Sequence, residues 1–469
     1  MPFDFHRAAP GRLRGEGKQL IRLALPMMIA QIAQVATGFV DTVMSGRVST
    51  GDLAAVSLGS SIFLTVYVTL MGVVTALNPI LAHHVGAGDH RRVGETARQG
   101  LVFGALIGVF GMLLMFALEP LLARVLTLPP DVEAKIMLFI SGSALAMPAA
   151  MVHRALHALA SSLNRPRPIM IVSLCALGLN IPLNYILIHG LFGLPRMGGA
   201  GCGWATAAAF WFNCIALWLY LASSPAFARY RLSARLPRPD LALHRTFLRL
   251  GLPIALSFFV EISLFSFIAL LIARLGTVVV ASHQAVLNFS SLIYMVPQSI
   301  STALSVRVGQ SIGAGDAQGA RMICGVGLVL GLATAVCTML AILLGRHIII
   351  AMYTSDPQLI AMGSTLLIFA AVYQLTDAAQ TIASGALRGY KLTKIPMAIH
   401  IVSFWGAGLG LGIVLGMTDW VFSPALGIYG FWSALVISLS AAAVLLVTYL
   451  SRESRRRLSH HPLAKGQAT

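Results

Sequence analysis

The chain has 469 residues, 57% of them hydrophobic and 10% charged. A soluble domain carries about a quarter charged residues, so this composition excludes a large soluble protein and implies a polytopic membrane protein. The net charge of +17 is diluted by apolar sequence and lacks the aromatic-plus-basic clusters of single-strand binders, which excludes nucleic acid as a partner.

The chain opens with a polar arm, MPFDFHRAAPGRLRGEGK, and no cleavable signal precedes Leu20. A membrane span needs about 20 apolar residues. Twelve stretches qualify: 20–45, 53–83, 94–119, 132–163, 168–190, 200–223, 247–274, 279–311, 322–345, 357–387, 396–417 and 425–450. Spans 2, 4, 8 and 10 are long, so they tilt, kink or protrude. Pro26, Pro79, Pro148, Pro182, Pro253 and Pro297 fall inside spans, where neighbours or a cavity must satisfy the freed carbonyls. Cys175, Cys202, Cys214, Cys324 and Cys337 lie in or beside apolar stretches with no CxxC, and read as small core residues.

Lys and Arg set the topology. The N-terminal arm, the connections after spans 2, 4, 6, 8 and 10 and the tail hold 26 of the 33, and six lie on the other side: Arg47, Arg124, Lys135, Arg196, Arg274 and Arg346. The positive-inside rule then places both termini in the cytoplasm, in agreement with the even span number. The expected layout is a cytoplasmic arm at 1–19, a six-helix lobe at 20–223 and a basic cytoplasmic linker at 224–246. A second six-helix lobe follows at 247–450, then a basic tail at 451–469.

The chain repeats itself. Leu23-Ala-Leu-Pro26 returns as Leu250-Gly-Leu-Pro253, Val85-Gly-Ala-Gly-Asp89 as Ile312-Gly-Ala-Gly-Asp316, Ala76-Leu77 as Ala303-Leu304 and Gly203 as Gly430, all at an offset of 227. Pro168 and Pro396 are 228 apart. Six spans per repeat is an even number, so the two lobes share an orientation about an axis along the membrane normal. The GAGD segments read as tight helix stops, since no strand precedes them to make a phosphate loop.

Three acids sit in strongly apolar stretches of their spans: Asp41, Glu261 and Asp377. A carboxylate in such a setting costs several kcal/mol and is a functional-site candidate by default. None obeys the repeat. Counting back or forward, Asp41 meets Ile268, Glu261 meets Gln34, and Asp377, at 228, meets Ala149. The scaffold is duplicated and the charge is not. Tyr373 lies one turn before Asp377, and Gln284 and Tyr294 lie on span 8. Two carboxylates with hydroxyl neighbours in one dry pocket repel, and one Na⁺ or one proton relieves the repulsion. Neither span 7 nor span 10 offers a basic partner at similar depth. In the first lobe, Asn180 and Asn184 share a helix face and can hydrogen-bond Asp41 or serve as interhelical glue. His153 and His157 are four apart, and His83, His84 and His90 end a cytoplasmic helix, with no further ligands for a metal. Phe258, Phe259, Phe265, Phe267 and Phe289, with 19 Met, either line a surface adaptable to flat cations or face core and lipid.

With these residues in place, the chain resembles the multidrug and toxic compound extrusion (MATE) transporters in their NorM-like bacterial branch, over residues 18–450. The likeness rests on LALPMMIAQIAQVATGFVDTVMSGRVSTGDLAAVSLGSS, NPILAHHVGAGD, SFFVEISLFSF and TDAAQTIASGALRGYKLTKIPM. It implies an all-α, V-shaped fold of twelve transmembrane helices in two six-helix lobes. It implies a monomeric, multi-pass transporter of the bacterial inner membrane, without catalytic residues, resident metal or cofactor. Such a protein exports cationic lipophilic drugs and dyes in exchange for Na⁺, ranked ahead of H⁺. By that likeness Glu261, Asp377, Tyr294 and Tyr373 form the cation site, and Asp41, Asn180 and Asn184 an acidic substrate site. Ser61, Gln284, Phe265 and Asp356 are further cavity candidates. The turn LNRPRP departs from its partner LRGYKLTKIP in the second half. A lipid-linked oligosaccharide flippase of the same superfamily is the alternative, but it calls for cationic residues where these spans hold acids. A membrane-embedded enzyme would need a catalytic set, for which His153 and His157 are the only hint.

Overall fold

The computed structural model describes residues 10–125, 130–232 and 237–459. Residues 1–9 of the arm, 233–236 of the linker (Arg235 among them) and 460–469 of the tail lie outside the described residues. The described residues form twelve helices long and apolar enough to cross a membrane and contain no strand. They are α1 (Gly11–Gly46), α2 (Gly51–Gly86), α3 (His90–Pro120), α4 (Pro130–Ser162), α5 (Arg167–His189) and α6 (Gly198–Ser223), then α7 (Leu241–Leu275), α8 (Thr277–Gly313), α9 (Ala317–Ala351), α10 (Pro357–Gly389), α11 (Lys394–Met417) and α12 (Ile428–Leu458). Most run past the expected apolar stretches, because polar turns continue the helix into water where hydrogen bonding already favours it.

Two of the prolines break their helices and four do not. A proline ring collides with the carbonyl four residues earlier. In α2 the interruption falls at Ala76, just past Thr75, four before Pro79; in α4 it falls at Leu145, just past Ala144, four before Pro148. Each break is bridged by a tighter turn, Ala76 N–H to the Val73 carbonyl and Leu145 N–H to the Gly142 carbonyl. Pro26, Pro182, Pro253 and Pro297 lie within continuous helix. In α11 the residues Ile401–Leu409 adopt the wider π-helical winding.

Left-handed backbone positions repeat with the sequence. Gly88 (φ 72°) and Gly315 (φ 77°) take the left-handed conformation in the two GAGD turns, and Asp316 then caps α9 by accepting from the Gly319 N–H at 2.7 Å. Asn164 (φ 57°) and Lys391 (φ 60°) do the same after α4 and α10. Both of those pairs, and the starting prolines Pro130 and Pro357, are 227 apart. The extra residue therefore enters after Lys391, within the divergent turn. The counterpart of Asp377 is Ala150, not Ala149.

The chain forms two compact units, Leu25–Ala255 and Met1–Ala24 with Leu256–Thr469. These differ from lobes cut at 20–223 and 247–450. The N-terminal start of α1 joins the second unit, where Arg307 clamps Glu16 at 2.7 Å and Arg12 meets Asp316 at 2.6 Å. The start of α7 joins the first unit, where a Cβ on Gly251 would lie 2.3 Å from the Val73 carbonyl oxygen. The linker is anchored too. Phe227, Tyr230 and Leu232 are buried in the first unit's core, and Gln99 donates to the Arg238 carbonyl at 2.8 Å while accepting from the Asp240 N–H. The repeat-related glycines Gly203 and Gly430 both permit close helix approach: a Cβ would lie 2.4 Å from the Phe139 carbonyl oxygen and 2.6 Å from that of Leu415.

Candidate functional site

In the first unit, Asp41 is buried on α1 and fully engaged. Asn184 Nδ2 donates to its Oδ1 at 2.6 Å, and Thr206 Oγ1 donates to its Oδ2 at 2.8 Å. Asn184 Nδ2 also donates to Asn180 Oδ1 at 2.9 Å. The four-residue spacing of Asn180 and Asn184 on α5 thus makes one polar face directed at one carboxylate, with α6 closing it from the other side. Thr206 carries no sequence signal, since it lies in the Gly- and Ala-rich start of α6. Asn180 adds a further side-chain bond to Asp41, and the Asn184 Oδ1 atom is buried without a partner among the described residues, so the cluster retains an acceptor beside the acid.

In the second unit, α7 brings Glu261 to the Tyr294 hydroxyl of α8, and the charge of Asp377 on α10 acts on both. Tyr294 also hydrogen-bonds Thr381. Asp377 is buried and accepts from Gln380 Nε2 at 3.0 Å, and Gln380 in turn meets His400 at 3.0 Å at the entrance to the π-helical stretch. Tyr373 hydrogen-bonds Ser290, stacks on Trp432 at 5.9 Å between centroids and feels both carboxylates. The four residues expected to share a site therefore do lie together. Gln380, three residues after Asp377, shares its helix face, but no sequence feature sets it apart from other amides.

The expectation of no basic partner at this depth needs correction. Arg388, one residue from the end of α10, reaches back along the bundle so that its charge acts on Glu261 and Tyr294. Its guanidinium donates to Ser301 Oγ at 2.8 Å and lies over the Phe258 ring. A long arginine stem carries charge well beyond its Cα, which span boundaries do not reveal. None of the ion pairs among the described residues includes Asp41, Glu261 or Asp377.

The further cavity candidates are dispersed. Ser61 is exposed on α2 and its hydroxyl donates to its own helix, to the Ser57 carbonyl at 2.8 Å. Gln284 is exposed on α8, and Phe265 is partly buried against the second unit's core. Asp356 caps α10, accepting from the Gln358 N–H at 2.9 Å. Among the described residues no group of three or more His, Cys, Asp or Glu could hold a metal ion.

The MatE family model matches residues 26–186 and 253–417, one copy per half. A probable multidrug resistance protein NorM from Chromobacterium violaceum is 66% identical over 98% of both chains. The multidrug resistance protein PmpM from Pseudomonas aeruginosa is 42% identical over 96% of this chain and 94% of its own. A solved structure of the MATE transporter NorM-NG, in complex with a ligand and a monobody, is 46% identical. It aligns at a TM-score of 0.79 over 94% of this chain and 95% of that one.

Proposed function

The chain belongs to the MatE family of multidrug efflux transporters, and from that premise we propose that it exports cationic lipophilic compounds in exchange for Na⁺. The family consists of transporters, not enzymes, and the twelve spans make this one a multi-pass membrane protein. The observation that carries the finer reading is the pairing of Glu261 with Asp377. A half-buried carboxylate, Glu261, and a buried one, Asp377, act on each other beside two tyrosine hydroxyls, and no ion pair among the described residues neutralises either. That oxygen-rich set suits a hard monovalent cation. Leaving it empty maintains an unfavourable like-charge pair in a poorly solvated site.

The mechanism follows from charge. Asp41, with Asn180, Asn184 and Thr206, presents a negative site to a cationic substrate. An ion arriving at Glu261 and Asp377 cancels the repulsion between them and favours helix positions that hold both close. It shifts the transport equilibrium only by its differential affinity for two states. Helix α7 carrying Glu261 and α8 carrying Tyr294 are the elements that respond first, since the ion joins them. The bacterial inner membrane, with both termini in the cytoplasm, fits the distribution of Lys and Arg. The protein acts as a monomer surrounded by lipid, with cationic drugs and dyes as its cargo.

The test is efflux of a cationic dye from proteoliposomes under an imposed Na⁺ gradient at zero ΔpH, then under ΔpH without Na⁺. Drive by the Na⁺ gradient alone supports the proposal. Drive by ΔpH alone reassigns the same carboxylates to proton exchange.

A further inference from the structure

Of the 33 Lys and Arg residues, 32 fall on one membrane side or the other by sequence. The remaining one, Arg154, lies inside α4 in the stretch MVHRALHAL. It is half-buried, its Nε is buried without a hydrogen-bond partner, and none of the ion pairs among the described residues includes it. An uncompensated guanidinium within a span is as costly as an uncompensated acid, and it asks for a partner on the same grounds.

The repeat identifies the place it occupies. At the offset of 227 that holds through α4 and α10, Gln34 corresponds to Glu261, Tyr67 to Tyr294 and Arg154 to Thr381. The local geometry is retained: Gln34 Nε2 donates to the Tyr67 hydroxyl at 3.0 Å, as Tyr294 pairs with Glu261, and the Arg154 charge acts on Tyr67 where Thr381 binds Tyr294. The polarity is inverted. The acid has become an amide, and the hydroxyl has become a cation. Two further groups face the same charge. His153 and His157 are 8% and 4% exposed, with His153 Nε2 and His157 Nδ1 unpartnered, and Arg154 acts on both. Gln34 is exposed, so the cluster has an open side. The expectation that these spans hold acids in place of cations is incomplete for this reason.

We propose that Arg154, Tyr67, Gln34, His153 and His157 form a binding site in the first unit for a carboxylate group, such as the anionic end of a zwitterionic substrate. A guanidinium with flanking hydroxyl and amide groups matches the planar, two-oxygen geometry of a carboxylate. The site adds a second charge preference to the transport reading and depends on that reading only for what the bound compound is used for.

The test uses purified full-length protein and two dyes that differ at one group, rhodamine 110 with a free carboxylate and rhodamine 123, its methyl ester. Fluorescence anisotropy gives a Kd for each. The ratio of acid Kd to ester Kd is expected to rise at least tenfold in Arg154→Gln. It is expected to rise similarly in Gln34→Glu, which places a carboxylate beside the guanidinium without removing it. Arg154→Lys, which keeps a cation, shifts the ratio less than Arg154→Gln. An unchanged ratio in Arg154→Gln or in Gln34→Glu overturns the proposal. If one variant does not fold, the other decides. The wild-type protein also decides independently: added acetate should release rhodamine 110 and leave rhodamine 123 bound. Equal release by chloride widens the site to small anions, and release by neither overturns it. Expected binding ratios with no transport of either dye in proteoliposomes would sink the antiport reading and leave this site standing.

Discussion

Replacing Asp41 by Asn separates charge from scaffold better than any other single change. The Asn184 bond at 2.6 Å survives, because the new amide keeps a carbonyl oxygen to accept it. The Thr206 bond at 2.8 Å survives if the hydroxyl rotates to accept from the new NH₂. Two charge-assisted bonds become neutral ones, a loss of about 1 kcal/mol each. The relief of burying a charge offsets part of that. Thermal stability should therefore fall by no more than about 1–2 kcal/mol. The effect on a bound monovalent cation is larger. A unit charge at about 5–8 Å in a medium of effective dielectric near 20 contributes roughly 2–3 kcal/mol, or about 30- to 150-fold in Kd. The assay is anisotropy of a cationic dye on the purified protein, set against its thermal unfolding curve. Affinity within threefold of wild type, with the unfolding curve intact, would refute the assignment of Asp41 to the substrate site. Weakened affinity accompanied by a large loss of stability would assign Asp41 to structure.

The other expectations concern the ion pair site and the packing. Glu261→Gln and Asp377→Asn should each abolish Na⁺-driven dye efflux while leaving expression and membrane insertion unchanged; wild-type efflux in either variant would discard the cation site. Gly203→Ala should cost about 1–3 kcal/mol through overpacking, because its Cβ would meet a backbone carbonyl oxygen at 2.4 Å, while Gly178→Ala, with open space around it, should be neutral or slightly stabilising. Thermal unfolding of the two variants side by side checks this, and equal stabilities would contradict the close approach of α6 and α4. Lys135→Met should cost about 1–2 kcal/mol: it removes the cation 2.9 Å from buried Asp52, which keeps its bond from the Gly199 N–H, and the 35% exposure of Lys135 limits the loss. A double-mutant cycle with Asp52→Asn measures the pair, and a coupling indistinguishable from zero would show that the ammonium contributes nothing.

What the sequence discloses and what it hides follow from the range of each interaction. Span number, the repeat and the left-handed glycines of the GAGD turns are local or periodic, so composition and offset reveal them. The convergence of Asn180 and Asn184 on Asp41 was half legible: the four-residue spacing defines one face, but which acid that face meets depends on how α1 packs against α5. Thr206 and Arg388 were hidden for two different reasons. Thr206 is an ordinary residue in a small-residue helix, and only the contact with Asp41 distinguishes it. Arg388 belongs by sequence to the cytoplasmic rim, and its stem carries the charge to Glu261. The unit boundaries were hidden because α1 and α7 each divide their packing between the units, with Glu16 held by Arg307 and Gly251 set against Val73. Arg154 is a charge within a span just as Asp41, Glu261 and Asp377 are, and the same cost of burial attaches to it. A cation in a span resembles the abundant basic residues of the rim, and only the repeat, which sets Arg154 against Thr381 and Gln34 against Glu261, shows that one tyrosine-centred pocket has been built twice with opposite polarity.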